Sequence, residues 1–109
     1  MLMADIPFGT TDWSHVEPSE HAGERGVAYW RTRLFGDIRV RMVEYTPGYR
    51  SDHWCDKGHI LLCTDGELHI EVKGGRVLTL RPGMSYHVGD NEEPHRSSTD
   101  PGAKLFIVD

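Results

Sequence analysis

Seven histidines and two cysteines in 109 residues are the groups through which this chain can do chemistry. Imidazole nitrogen and thiolate sulfur bind transition metals, and both also serve as acids, bases or nucleophiles. Spacing sorts them. His69 shares the polar face of an alternating stretch with Glu67, Glu71 and Lys73, which reads as solvated. His15 and His21 lie beside Glu17, Glu20 and Glu24 near the start of the chain and read as surface groups. His87 alternates against Met84, Tyr86 and Val88, which form the buried set, so it points outward. His53 and Cys55 are two apart on an extended segment, so both project to one face. Asp56-Lys57-Gly58 then reads as a turn, and a hairpin there brings His59 opposite His53 and Cys55. His59, Leu61 and Cys63 share one face of the next strand, with Ile60 and Leu62 on the other. Two imidazoles and a thiol converging in this way are either metal ligands or a hydrogen-bonded polar cluster. Local spacing favours neither.

The elements that must position these groups are short strands. Twelve glycines and six prolines punctuate the chain, in pairs such as Pro47-Gly48, Asp65-Gly66, Gly74-Gly75 and Pro82-Gly83 that mark turns. Between them the β-rich stretches are 27–34, 38–45, 59–63, 67–72, 76–80, 84–88 and 104–108. In Ile38-Arg39-Val40-Arg41-Met42 the apolar residues take one face and the arginines the other. No stretch has a helical period and no segment repeats. Residues 1–24 read as an irregular arm holding a strand or a helical turn, and residues 25–109 as one domain. Many short strands between turn signals predict an all-β sandwich, jelly roll or small barrel.

Composition removes several classes. Twelve basic and 17 acidic residues leave a net charge of -5, which argues against nucleic acid or an anionic membrane as the partner. No apolar run approaches the ~18 residues of a membrane span. The opening residues lack the basic and apolar regions of a signal peptide, so the expected location is cytoplasmic. Two cysteines make no disulfide framework, and in a reducing compartment they read as thiols or ligands.

The run Gly48, four residues, His53-Trp54-Cys55, three residues, His59, six residues, Gly66 resembles the first sequence motif of the cupins. Cys55 stands where that motif has its second histidine, and His59 where it has a glutamate. Pro82-Gly83 and Pro94-His95 are similar to the opening and closing of the second motif, with a longer turn between and no asparagine after His95. The run Asp52-His53-Trp54-Cys55 is also similar to a subfamily of small cupins marked by Asp, His, Cys and Trp. This resemblance implies a jelly-roll barrel over roughly residues 25–108, with the ligands pointing into one open end. It makes His53, His59 and His95 the histidine ligands of one divalent transition metal (zinc, iron, nickel or copper), with Cys55 the fourth. It also implies a homodimer, and the arm is long enough to reach a neighbouring copy.

Four bound ligands complete a tetrahedral site suited to a structural or sensing role, whereas three histidines alone leave open positions for dioxygen, water or substrate. The four-ligand arrangement is the expected resting state, because a thiol beside a divalent cation deprotonates and binds. Arg39 and Arg41 would clamp a carboxylate or phosphate if their face lines the cavity; a solvated edge is the expectation for at least one. Cys63 is expected in the core, and Tyr86 is a core aromatic able to offer a phenol. Trp54 points away from the ligands, with Ile60 and Leu62. Two function classes follow: a metal-dependent oxygenase or isomerase on a small polar molecule, or a metal- or small-molecule-binding module without turnover.

Overall fold

The structure is a computed structural model that describes residues 3–109; Met1 and Leu2 of the arm lie outside the described residues. The chain forms nine antiparallel strands: β1 (Ser19–Ala22), β2 (Val27–Phe35), β3 (Ile38–Tyr45), β4 (His59–Gly66), β5 (Leu68–Val72), β6 (Val77–Leu80), β7 (Ser85–Val88), β8 (His95–Ser98) and β9 (Ala103–Val108). They make a six-stranded sheet, β1-β2-β3-β9-β4-β7, and a three-stranded sheet, β6-β5-β8. The only helical element among the described residues is one 3-10 turn, Trp13–His15. No described helix is long and apolar enough to cross a membrane. This is the all-β class that the turn spacing predicts, in the jelly-roll form that the motif resemblance implies.

Alternation decides what each strand buries. In β5, Leu68, Ile70 and Val72 point inward while His69 and Glu71 point out. In β4, Leu61 and Cys63 are buried, and Ile60 and Leu62 are exposed on the outer face. These join Val43, Leu80, Tyr86, Leu105 and Ile107 in one core between the sheets. Cys63 is fully buried there, bonded to the carbonyl of Asp65. Gly66, with φ of +77°, turns β4 into β5, and a Cβ there would collide with the backbone carbonyl of Gly102.

β3 contradicts the expected orientation. Its inward face carries Arg39, Arg41, Val43 and Tyr45, and Arg41 is only 5% exposed. Ile38, Val40 and Met42 take the outer face, where residues of the arm cover part of it. Arg31 Nη1 donates to the carbonyls of Trp13 and Val16, Arg33 Nη1 to Thr11 Oγ1, and the Trp13 ring meets Phe106 edge-on. The arm therefore lies on its own sheet, and β1 pairs with β2 at that sheet's edge. The outer-face residues Ile38 and Val40 are thus partly sheltered by this arm, while the inward positions at that end of β3 go to Arg39 and Arg41.

Candidate metal centre

The inward faces of β3, β9 and β4 change from apolar to polar at one end of the barrel. Arg41 and Leu61 both sit opposite Ile107 of β9. One inward position further along, Arg39 and Asp109 exchange backbone hydrogen bonds, and His59 begins β4 beside them. Alternation thus puts Arg39, Asp109 and His59 at one level of the sheet, facing the same way. The loop before His59 is pinned by Gly58, whose N–H donates to Asp90 Oδ1 at 2.6 Å. A Cβ at Gly58 would stand 2.8 Å from the Asp90 nitrogen, so only glycine allows this approach.

The opposite wall comes from the smaller sheet. Cys55 and His95 exchange backbone hydrogen bonds of 2.7 and 3.0 Å, so the segment before β4 pairs with β8. The hairpin expected between this segment and β4 does not form. Cys55 meets His59 across the barrel. Residues 52–53 form a bend, which breaks the alternation that would have aligned His53 with Cys55.

Three ligand atoms converge within 4.8 Å of one another: Cys55 Sγ, a nitrogen of His59 and a nitrogen of His95. His59 Nε2 lies 2.9 Å from His95 Nε2 and 3.8 Å from Cys55 Sγ. His95 is almost wholly buried, its ring edge-on to that of Tyr86 with centroids 5.5 Å apart. Its Nδ1 is 2.9 Å from the Glu93 carbonyl, an acceptor only, so Nδ1 carries the proton. His59 Nδ1 is 3.0 Å from Asp109 Oδ2, with the same consequence. Both Nε2 atoms are then left to face each other, and only a shared proton or a cation satisfies them.

The donor set fits a metal. In a tetrahedral zinc site, ligand distances of ~2.05 Å to nitrogen and ~2.3 Å to sulfur separate the donors by about 3.3–3.6 Å. The observed 2.9 and 3.8 Å bracket that span. His59 and His95 draw the Cys55 thiol down to about 5, so it is a thiolate at neutral pH. Burial pushes the His59 imidazolium down, but Asp109 and Cys55 outweigh burial and raise it overall. Proton and metal therefore compete for this nitrogen.

The remaining predicted residues fall around this trio. His53 lines the cavity at its mouth, with its side chain 71% exposed and Nδ1 bound to Asp52 Oδ1 at 2.7 Å. It is outside the cluster of three. Arg39 and Arg41 line the cavity, and neither is a solvated edge. The carboxylate they clamp is the chain's own Asp109. Tyr86 and Cys63 pack in the core, and neither lines the cavity. Trp54 does not accompany Ile60 and Leu62; its ring stacks under the Arg96 guanidinium at 4.5 Å. Of the four histidines read as surface groups, His15 and His87 are exposed. His21 instead stacks on Trp30 with centroids 3.7 Å apart, and half-buried His69 bonds Thr79 Oγ1.

Asp109 was missed. Its side chain is entirely buried, accepting from Arg39, Arg41 and His59. Burial pushes its carboxyl up, yet those three donors hold it far below the usual carboxylate range. The available signal was the period of two through Leu105, Ile107 and Asp109. The cavity beside the trio, bounded by Arg39, Arg41, Cys55, His59 and His95 and also lined by Trp30, Tyr45, Tyr49 and Ser51, holds about 130 Å³. At ~30 Å³ per water, it admits a molecule the size of about four waters.

Comparison with solved structures decides the architecture. An RmlC-like cupin from Shewanella frigidimarina NCIMB 400 superposes with a TM-score of 0.78 over 95% of this chain and 91% of its own, at 14% identity. The chain has the cupin fold. A cupin-like protein from Thermotoga maritima MSB8 aligns with a TM-score of 0.72 at 19% identity, covering 84% of this chain and 76% of its own. Ectoine synthase from P. lautus gives 0.75 at 18% identity, covering 93% of this chain and 76% of its own. No protein-family model matches the sequence, and no curated protein does. The cupin barrel here carries its candidate metal ligands at its polar end, on the segment before β4, on β4 and on β8.

Proposed function

We propose that this cupin barrel binds one transition metal ion per chain through Cys55 Sγ, His59 Nε2 and His95 Nε2, and presents it to a small polar molecule in the adjoining cavity. The observation that carries this reading is the pair of Nε2 atoms 2.9 Å apart, each with its Nδ1 committed to an oxygen acceptor. Three protein ligands are the number found in catalytic rather than structural zinc sites, where the fourth position stays exchangeable. Zinc, iron, nickel and copper all accept this nitrogen–sulfur set. Bound there, the metal supplies Lewis acidity and an exchangeable position, as an oxygenase or isomerase acting on a small polar substrate requires. The chain's own residues orient the ligands, and the cavity limits the size of what enters. The reading needs a compartment that keeps Cys55 reduced, in keeping with a cytoplasmic location. It also takes the functional unit as a homodimer, for which sedimentation must give twice the chain mass.

Purified protein is expected to carry about one equivalent of metal by elemental analysis, and His59→Ala or His95→Ala to lose it. His53→Ala is expected to keep it, since His53 is held outward by Asp52; metal loss in that variant would restore His53 as the fourth ligand. The same geometry supports one other reading, a metal-free pocket for a small molecule. There the Cys55 thiolate and a protonated His59, 3.8 Å apart, neutralise each other. Protein that stays metal-free and shows no thermal shift with any of the four metals would decide for that alternative.

A further inference from the structure

We propose that Asp109 is a positioning residue of the metal centre, which holds His59 in the tautomer that presents Nε2 as a ligand. This rests on the metal-site reading and assigns to the site a residue that is not a ligand. Asp109 Oδ1 accepts from Arg39 Nε at 2.8 Å. Its Oδ2 accepts from Arg39 Nη2 at 3.0 Å, Arg41 Nη2 at 2.9 Å and His59 Nδ1 at 3.0 Å. Arginine does not deprotonate in proteins, so two guanidiniums keep the carboxylate ionised and acceptor-only. His59 must then carry its proton on Nδ1. A neutral histidine in water favours the opposite tautomer, with the proton on Nε2, so this state is imposed by the neighbour.

The two imidazoles of the site are fixed by different means. His95 donates to a backbone carbonyl, which no substitution at position 93 removes. His59 depends wholly on one side chain. The fold accepts a cost to hold that side chain: Arg41 is buried with its Nε lacking any hydrogen-bond partner, over the Trp30 ring at 4.4 Å. A carboxylate behind a ligating histidine fixes the ring and raises its basicity, and its loss typically costs 10–100-fold in metal affinity.

The test is Asp109→Asn, which keeps the shape and removes the charge. Cobalt(II), added alone to metal-free protein and titrated against a competing chelator, should bind about 10–100-fold more weakly to the variant. The thiolate-to-cobalt charge-transfer band should persist, because Cys55 is untouched. Cobalt-loaded wild type should show two hyperfine-shifted exchangeable imidazole N–H protons, from His59 and His95; the variant should lose or rapidly exchange one. Equal affinity and two unchanged signals would overturn the role of Asp109 while leaving the metal site standing. Wild type that takes up no cobalt would instead remove the metal reading, and this inference with it. Should the variant fail to fold, metal-free wild type at a pH where His59 is neutral carries the test, since a metal on Nε2 would itself force the proton onto Nδ1. A slowly exchanging, downfield His59 Nδ1 proton supports the assignment, and a His59 protonated on Nε2 overturns it.

Discussion

Cys55 shows how much a single residue owes to its neighbours. Cys55 and Cys63 are the chain's two free cysteines. Burial pushes the Cys63 thiol up, whereas two imidazoles make Cys55 a thiolate at neutral pH. The thiolate is the reacting form. Native metal-free protein should therefore take up one iodoacetamide per chain at neutral pH, at Cys55, at least about 100-fold faster than Cys63. Unfolding in denaturant should release the second site, and added metal should slow the first. Mass spectrometry with peptide mapping reads all three, and equal labelling of both cysteines in the native state would contradict the geometry. Cys55, His59 and His95 were legible in the sequence because motif spacing carried them. Asp109 was not, since a lone aspartate has no motif, and its meaning comes from Arg39 and Arg41, about 70 residues earlier. His53 does not share the face of Cys55 because the chain bends at residues 52–53, where no glycine or proline marks a turn.

Strands were easiest to read where a turn pair closed each end, and β3 was recovered at its own limits, Ile38–Tyr45. Its face was the harder matter. Polar residues normally mark the solvent side, but in β3 the paired carboxylate of Asp109 makes an arginine interior possible, and the arm covers part of the apolar side. Strand β8, His95-Arg96-Ser97-Ser98, gave no signal because it has no apolar residue. What holds it to β5 is partly ionic. Glu71 faces Arg96 directly across the two strands and accepts from its Nε at 2.9 Å and its Nη2 at 3.2 Å, with Arg50 behind. Arg96 holds the Glu71 carboxyl below its ordinary value. A depressed folded-state value means stability that is present above the unfolded value near 4.5 and is lost as pH falls through the folded one. Glu71→Gln should therefore melt below wild type at pH 7, by a modest margin given the exposure of the pair. The gap between the two melting curves should close as the pH is lowered past the ordinary range of glutamate. A gap of the same size at pH 3 would mean that the carboxylate charge is not what β8 uses.

At the scale of the whole molecule, the candidate centre joins parts of the chain that the core does not. The apolar core lies between the sheets and ties β4, β5, β7 and β9 together. The polar end is closed by Cys55 on an isolated bridge, His59 on the large sheet and His95 on the small one. An ion bound to all three would fasten the two sheets at the end where apolar contacts are missing. The unfolded chain cannot bring residues 55, 59 and 95 together without losing loop entropy, so binding favours the folded state. At a free metal concentration 100 times the dissociation constant the gain is ~2.7 kcal/mol. For a domain of this size, that corresponds to a rise in Tm of about 10 °C. Chelator should reverse the rise, and His95→Ala should abolish it while its own metal-free Tm still reports a folded barrel. Hydrogen exchange adds a spatial reading that a bulk shift lacks. Core amides in β5 and β9, which exchange only through global unfolding, should gain the full increment. Protection should also rise in the 50–58 segment and in β8, which meet through a few bridge hydrogen bonds whose local opening the ion would suppress. A rise confined to the core strands, with the 50–58 segment and β8 exchanging as fast as in metal-free protein, would indicate that the ion binds in some other place, and the assignment of the three ligands would have to be abandoned.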